Sequence, residues 1–113
     1  MEIGECLSAA SPEDFATWLD QHGASAREIW VLIYKKVTGK QTVTYQQFVE
    51  VALCYGWIDG LRKSFDVERS AQRFSPRRKR SNWTDTNRAI ARRLIAEGRM
   101  TAAGRAALPE DFN

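Results

Sequence analysis

Apolar residues recur along the chain at two different periods, and the switches between them mark its elements. Phe15, Trp18, Leu19 and His22 stand at i, i+3, i+4 and i+7, one narrow helical stripe. Ser11-Pro12-Glu13-Asp14 starts that helix with a hydroxyl cap, proline at the first helical position and acids over the positive end of the dipole; Gly23 ends it. Glu28 to Val37, EIWVLIYKKV, is instead β-branched, aromatic and apolar on both alternating faces, which predicts a central strand covered on both sides over most of its length. Thr38-Gly39-Lys40-Gln41 makes a polar turn.

Thr44 and Gln47 have capping-box spacing, and Val43 can staple to Phe48. The helix they begin turns Tyr45, Phe48, Val49, Ala52 and Leu53 inward and closes at Gly56, a position suited to left-handed backbone. Trp57 to Phe65 and Arg69 to Ser75 predict an antiparallel hairpin around Asp66-Val67-Glu68. Ser81 or Thr84 can cap a third helix with Trp83, Ile90, Leu94 and Ile95 at helical spacing and Gly98 as its stop. A last short helix is expected from Thr101 through the alanines to Leu108-Pro109. The order α-β-α-β-β-α-α predicts an α+β fold over residues 1–113 as one domain, a small antiparallel sheet of about three strands packed with three to four helices.

Composition agrees with that size of core: 43% of the 113 residues are hydrophobic, with four Trp, five Phe and three Tyr. No apolar run approaches the roughly 18 residues of a membrane span, and MEIGECLSAA has neither the basic start nor the long apolar stretch of a signal peptide. A cytoplasmic protein without membrane insertion is expected. Cys6 and Cys54 are too few and too far apart for a disulfide framework or a zinc site, and the lone His22 reads as a helix-end or surface position. No metal and no cofactor are expected.

Charge changes the picture more than composition does. Residues 1–61 hold four Lys or Arg against eight Asp or Glu, whereas residues 62–99 hold twelve against four. A surface polarised in this way favours phosphate-bearing or otherwise acidic partners, and one basic face is also a common route to solubility. The chemistry-bearing residues fall in the basic part. Gly56 and Gly60 bracket Trp57-Ile58-Asp59, which reads either as two turns around a buried indole or as a pocket with Trp57 as a stacking wall and Asp59 as an acceptor. Strict alternation along the hairpin puts Arg62, Ser64 and Asp66 on one face of its first strand. In the second strand it separates Arg69, Ala71, Arg73 and Ser75 from Ser70, Gln72 and Phe74. Bidentate arginines, neutral donors and a ring together suit a small anionic ligand, so Trp57, Asp59, Arg62, Gln72, Arg73, Phe74 and Arg77 form the candidate pocket. The alternative is a solvated sheet face with ion pairs such as Arg69 to Asp66 or Glu68.

Arg77, Arg78, Lys79 and Arg80, with Arg88 and Arg92 on the following helix, form a basic ridge that could track a nucleic-acid backbone or merely face solvent. No P-loop, dinucleotide fingerprint, HExxH or GxSxG elbow occurs, so no catalytic residue is assigned. A binding module is expected before an enzyme acting on a small anionic substrate.

GWIDG followed by RKS, then ERSAQRFSPRRKRSNW, LIAEGRM and TAAG, together resemble the YdeI/OmpD-associated family of bacterial proteins, also labelled bacteriocin-protection proteins. The resemblance covers about residues 11–107. It implies a bacterial cytosolic α+β domain, loosely grouped with YjbR/CyaY-like proteins, and a link to tolerance of bacteriocins or cationic peptides. It carries no catalytic or ligand-binding residue across. Similar proteins continue into a C-terminal segment, whereas this chain stops at Asn113, which puts in doubt any property residing there. The acidic iron-binding helix of the frataxin-like branch has no counterpart among the scattered acids here, so the resemblance brings no metal site with it.

Overall fold

The Ser11 hydroxyl accepts a hydrogen bond from the Asp14 amide at 3.3 Å and starts α1 (Pro12–His22) in the computed structural model, which describes residues 1–78 and 82–112. Strand β2 (Ile29–Tyr34) is central, as its two-sided apolar pattern predicts. It is hydrogen-bonded to β1 (Cys6–Ser8) on one side and β4 (Arg69–Pro76) on the other, and β4 pairs with β3 (Trp57–Ser64) at the far edge. The fold is α+β, but β1 runs parallel to β2 while the other pairings are antiparallel, so the sheet is mixed and four-stranded rather than antiparallel and three-stranded. The extra strand is three residues long and turns only Leu7 toward the core, too short to display a period of two. β2 is also shorter than expected, because Lys36–Thr38 coil into a single 3-10 turn closed by Gly39 at φ 68°.

Helix α2 (Tyr45–Cys54) opens with the predicted capping box: the Thr44 hydroxyl accepts from the Gln47 amide at 3.2 Å, and Gln47 Oε1 accepts from the Thr44 amide at 2.9 Å. Gly56 follows at φ 76°, and a Cβ there would stand 2.8 Å from the Ala103 carbonyl oxygen, so only glycine fits both the conformation and the space. Thr84 caps α3 (Asp85–Ala96) and Thr101 caps α4 (Ala102–Ala106). Ser81, the other cap considered for α3, lies outside the described residues.

Two apolar clusters share α2. The larger joins Phe15 and Leu19 of α1 and Phe48 and Ala52 of α2 to one face of the sheet through Ile29, Val31 and Phe74. The smaller packs Leu53 and Cys54, from the end of α2, against Ala91, Leu94 and Met100. On the opposite sheet face the buried Trp30 lies under the segment 1–5. That segment passes from β3, where Lys63 Nζ donates to the Met1 carbonyl, to β2, where the Trp30 amide donates to the Glu5 carbonyl at 2.9 Å. Among the described residues no helix is long and apolar enough to cross a membrane.

Candidate functional site

One irregularity in β3 organises the polar residues of the hairpin. The register steps from Asp59 opposite Phe74 to Arg62 opposite Gln72, leaving Gly60 and Leu61 against the single residue Arg73. Strict alternation would put Asp59 and Arg62 on opposite faces; the bulge returns both to the face covered by α1 and α2. Gln72, 2% exposed, holds this bulge: its Nε2 donates to the Gly60 carbonyl at 2.8 Å, while its Oε1 accepts from Arg62 Nε at 3.0 Å. The Arg62 guanidinium also lies 4.9 Å from the centre of the Tyr45 ring, and the Tyr45 hydroxyl donates to the Asp59 carboxylate. Asp59, Tyr45, Arg62 and Gln72 thus form one connected chain, in which a buried amide on one side and an aromatic face on the other orient the guanidinium.

Burial, and then the Asp59 carboxylate, push the Tyr45 phenol up to about 12; burial and Asp20 do the same to Tyr55. A phenol with a raised folded-state pKa stabilises the fold fully below its unfolded value of 10.0 and loses that contribution as pH climbs through about 12. Stability is therefore expected to fall between these two pH values, and Tyr45→Phe to make that fall shallower. Urea midpoints measured from neutral pH through the window check this, and an unchanged slope in the variant would refute it.

Beside the chain of four residues lies a groove of about 510 Å³ between the 3-10 turn, the start of α2 and the adjoining ends of β2 and β4. Lys35, Lys36 and Arg62 line it with Tyr34, Tyr45 and Gln46, and among the described residues none of its lining is a carboxylate. Lys35 Nζ is held by the Ser64 hydroxyl and the Asp66 carbonyl, both at 3.0 Å. Three cationic residues in one concave lining, against the single Asp59 carboxylate bonded behind Tyr45, give a local excess of positive charge suited to an anion.

The structure splits the pocket expected from the sequence. Arg62, Gln72 and Asp59 come together, but Trp57 and Phe74 belong to the core: Trp57 stands edge-on to Trp18 at 5.8 Å, and Phe74 packs on Phe15 at 5.1 Å. Arg73 points to the opposite sheet face, because it alternates with Gln72 and Phe74, and its Nε donates to Glu28 Oε1 at 2.7 Å. That hydrogen bond holds the Glu28 carboxyl below its ordinary range. Arg77 is half-buried beyond the end of β4, 4.0 Å from the Trp83 ring centre, and lines a separate groove of about 420 Å³ with Arg78 and residues 106–110. Burial lowers its pKa while the charge of Asp59 opposes that shift, and its Nε is buried without a hydrogen-bond partner among the described residues.

The basic ridge is less continuous than its sequence. Arg77 turns inward, Arg88 is paired with Asp111 at 3.3 Å and Arg92 is exposed on α3; Lys79 and Arg80 lie outside the described residues. Lys35, Lys36, Tyr45 and Gln46 were not anticipated as site residues. The lysine doublet reads as the polar end of a strand and Tyr45 as an inward helical position, and only folding sets them beside Arg62. Among the described residues no group of three His, Cys, Asp or Glu is placed to hold a metal ion.

A family model described as Domain of unknown function (DUF8412) matches residues 7–107. No curated protein and no solved structure matches the chain.

Proposed function

The chain belongs to the DUF8412 family, whose description names no activity, and we propose from its site that it is a binding module for a small anionic ligand held in the groove at Arg62. The observation that carries this reading is a lining with three cations and no carboxylate among the described residues, one of those cations being a guanidinium already oriented by Gln72 and Tyr45. An arginine bound through Nε keeps its two terminal nitrogens in one plane for a phosphate or carboxylate, so less side-chain freedom is lost on binding. Exposed cations contribute little individually in water, and the concave setting is what makes three of them act together.

Thermal shift against phosphorylated and carboxylated metabolites tests the proposal, since a ligand adds RT ln(1 + [L]/Kd) to stability. Arg62→Gln is expected to weaken binding about tenfold or more while the fold is kept. Arg73→Gln, on the other sheet face, should leave affinity unchanged. No shift with any anion at millimolar concentration, or equal losses in the two variants, would remove the reading. The setting we propose is that of the resembled YdeI/OmpD-associated proteins, a bacterial cytoplasm and tolerance of bacteriocins or cationic peptides. A basic groove would serve there by taking an anionic partner rather than the cationic peptide itself.

A further inference from the structure

Resting on the reading of the Arg62 groove as an anion site, we infer that its ligand is an amphiphilic phosphate monoester, with the phosphate at Arg62 and an alkyl or aryl body in the cavity next to it. That second cavity, about 270 Å³, shares the lining residues Ile33 and Tyr34 with the groove, so the two are immediate neighbours. Their charge differs. Ala9, Ala10, Leu32, Val43 and Phe48 make the second cavity largely apolar, and the two cations among its described lining residues are already neutralised, Lys40 by Glu68 at 2.7 Å and Arg69 by Asp66 at 2.9 Å. The Arg62 groove has a wall about as apolar as that of the second cavity and differs from it in charge, with three cations and no acid among its described lining residues.

An excess of positive charge, three cations against the Asp59 carboxylate behind Tyr45, beside a charge-neutral cavity describes a ligand with one strongly anionic end and one apolar end. The head is better a phosphate monoester than a carboxylate, because a monoester carries about 1.5 to 2 negative charges at neutral pH and answers several cations at once. The groove of about 510 Å³ falls in the range of organic-ligand sites, well above what a bare oxyanion fills. Tyr34, 38% exposed at the seam, offers the body a flat apolar contact as it passes from one cavity to the other.

Calorimetric titration of the full chain with inorganic phosphate, methyl phosphate, hexyl phosphate and hexanol separates the possibilities. Hexyl phosphate should bind about tenfold or more tightly than methyl phosphate, since its five added methylenes leave water on binding. Hexanol, without the head, should show no binding. Filling the apolar cavity with Ala10→Phe should abolish the hexyl advantage and leave methyl phosphate unchanged, and Thr42→Phe, from another part of its wall, should do the same should the first variant not fold. Equal affinity for hexyl and methyl phosphate would overturn the inference while leaving the anion site standing. Absence of binding to every phosphate would overturn both, and a hexyl advantage that survives both filled variants would refute the placement of the body.

Discussion

Replacing Phe74 with alanine is expected to cost about 3–5 kcal/mol of stability, a large share of what a domain of this size possesses. The ring is 0% exposed, its centre 5.1 Å from that of Phe15, and its residue pairs across the sheet with Ile29 on one side and Asp59 on the other. Its removal leaves a cavity at the junction of sheet and helices, which neither the strands nor a capped α1 can close without breaking register. A ligand-stacking Phe74 would behave differently, losing affinity with stability nearly intact. Urea unfolding decides between the two roles: a cost under about 1 kcal/mol would return Phe74 to the site. Phe74→Leu, which keeps most of the volume, should retain both the fold and anion binding.

Gly104→Ala is expected to destabilise by about 3 kcal/mol, at the upper end of overpacking costs. The added Cβ would stand 2.2 Å from the Cys54 carbonyl oxygen and 2.5 Å from Met100 Sδ. A methionine can swing aside, but the Cys54 carbonyl cannot. It ends α2 and accepts hydrogen bonds from both the amide and the hydroxyl of Thr101, at 3.0 and 2.5 Å, which cap and anchor α4. The helix has to lift, opening the small cluster of Leu53, Cys54, Leu94 and Met100 to water. Burial now raises the Cys54 thiol pKa and shields it, so thiol labelling should accelerate in the variant as its urea midpoint falls. A variant with wild-type midpoint and labelling rate would show that α4 does not depend on this contact.

Both predictions concern residues whose meaning lies in their neighbours, and that is the line along which the sequence was readable. Ser11 and Thr44 could be placed at helix starts because an N-cap bonds to an amide three residues away, within one turn of chain. Thr84 was one of two candidates for α3, and the structure chose it. Gly56 and Gly98 stand at φ 76° and 72°, where a sequence position just past an apolar helical run predicts them. The hairpin of β3 and β4 was legible for the same reason, its strands lying close along the chain. β1 was not, since three residues with one inward side chain carry no period.

The site divides in the same way. Arg62 and Gln72 were both among the seven candidates, on the two strands of one hairpin, but only the strand register sets them opposite each other and leaves Arg73 on the other face. The bulge at Gly60 and Leu61 was not visible, and it moves Asp59 onto the Arg62 face; the buried Gln72 amide clasps the Gly60 carbonyl there. Phe74 and Trp57 looked like ligand contacts because an aromatic residue among arginines has no label saying whether a helix covers it. Lys35 and Lys36 joined the site only where the end of β2 meets the start of α2.

From the sequence alone came the helix starts, the central strand, the hairpin and a basic half of the chain that includes Arg62 and Gln72. These depend on contacts a few residues apart and on patterns that repeat along one element. Tertiary structure alone decided which arginine faces the groove, which ring is buried and that Lys35, Lys36 and Arg62 share one lining. Those outcomes are set by burial and register between elements distant in sequence, where a shift of one residue exchanges the two faces of a strand.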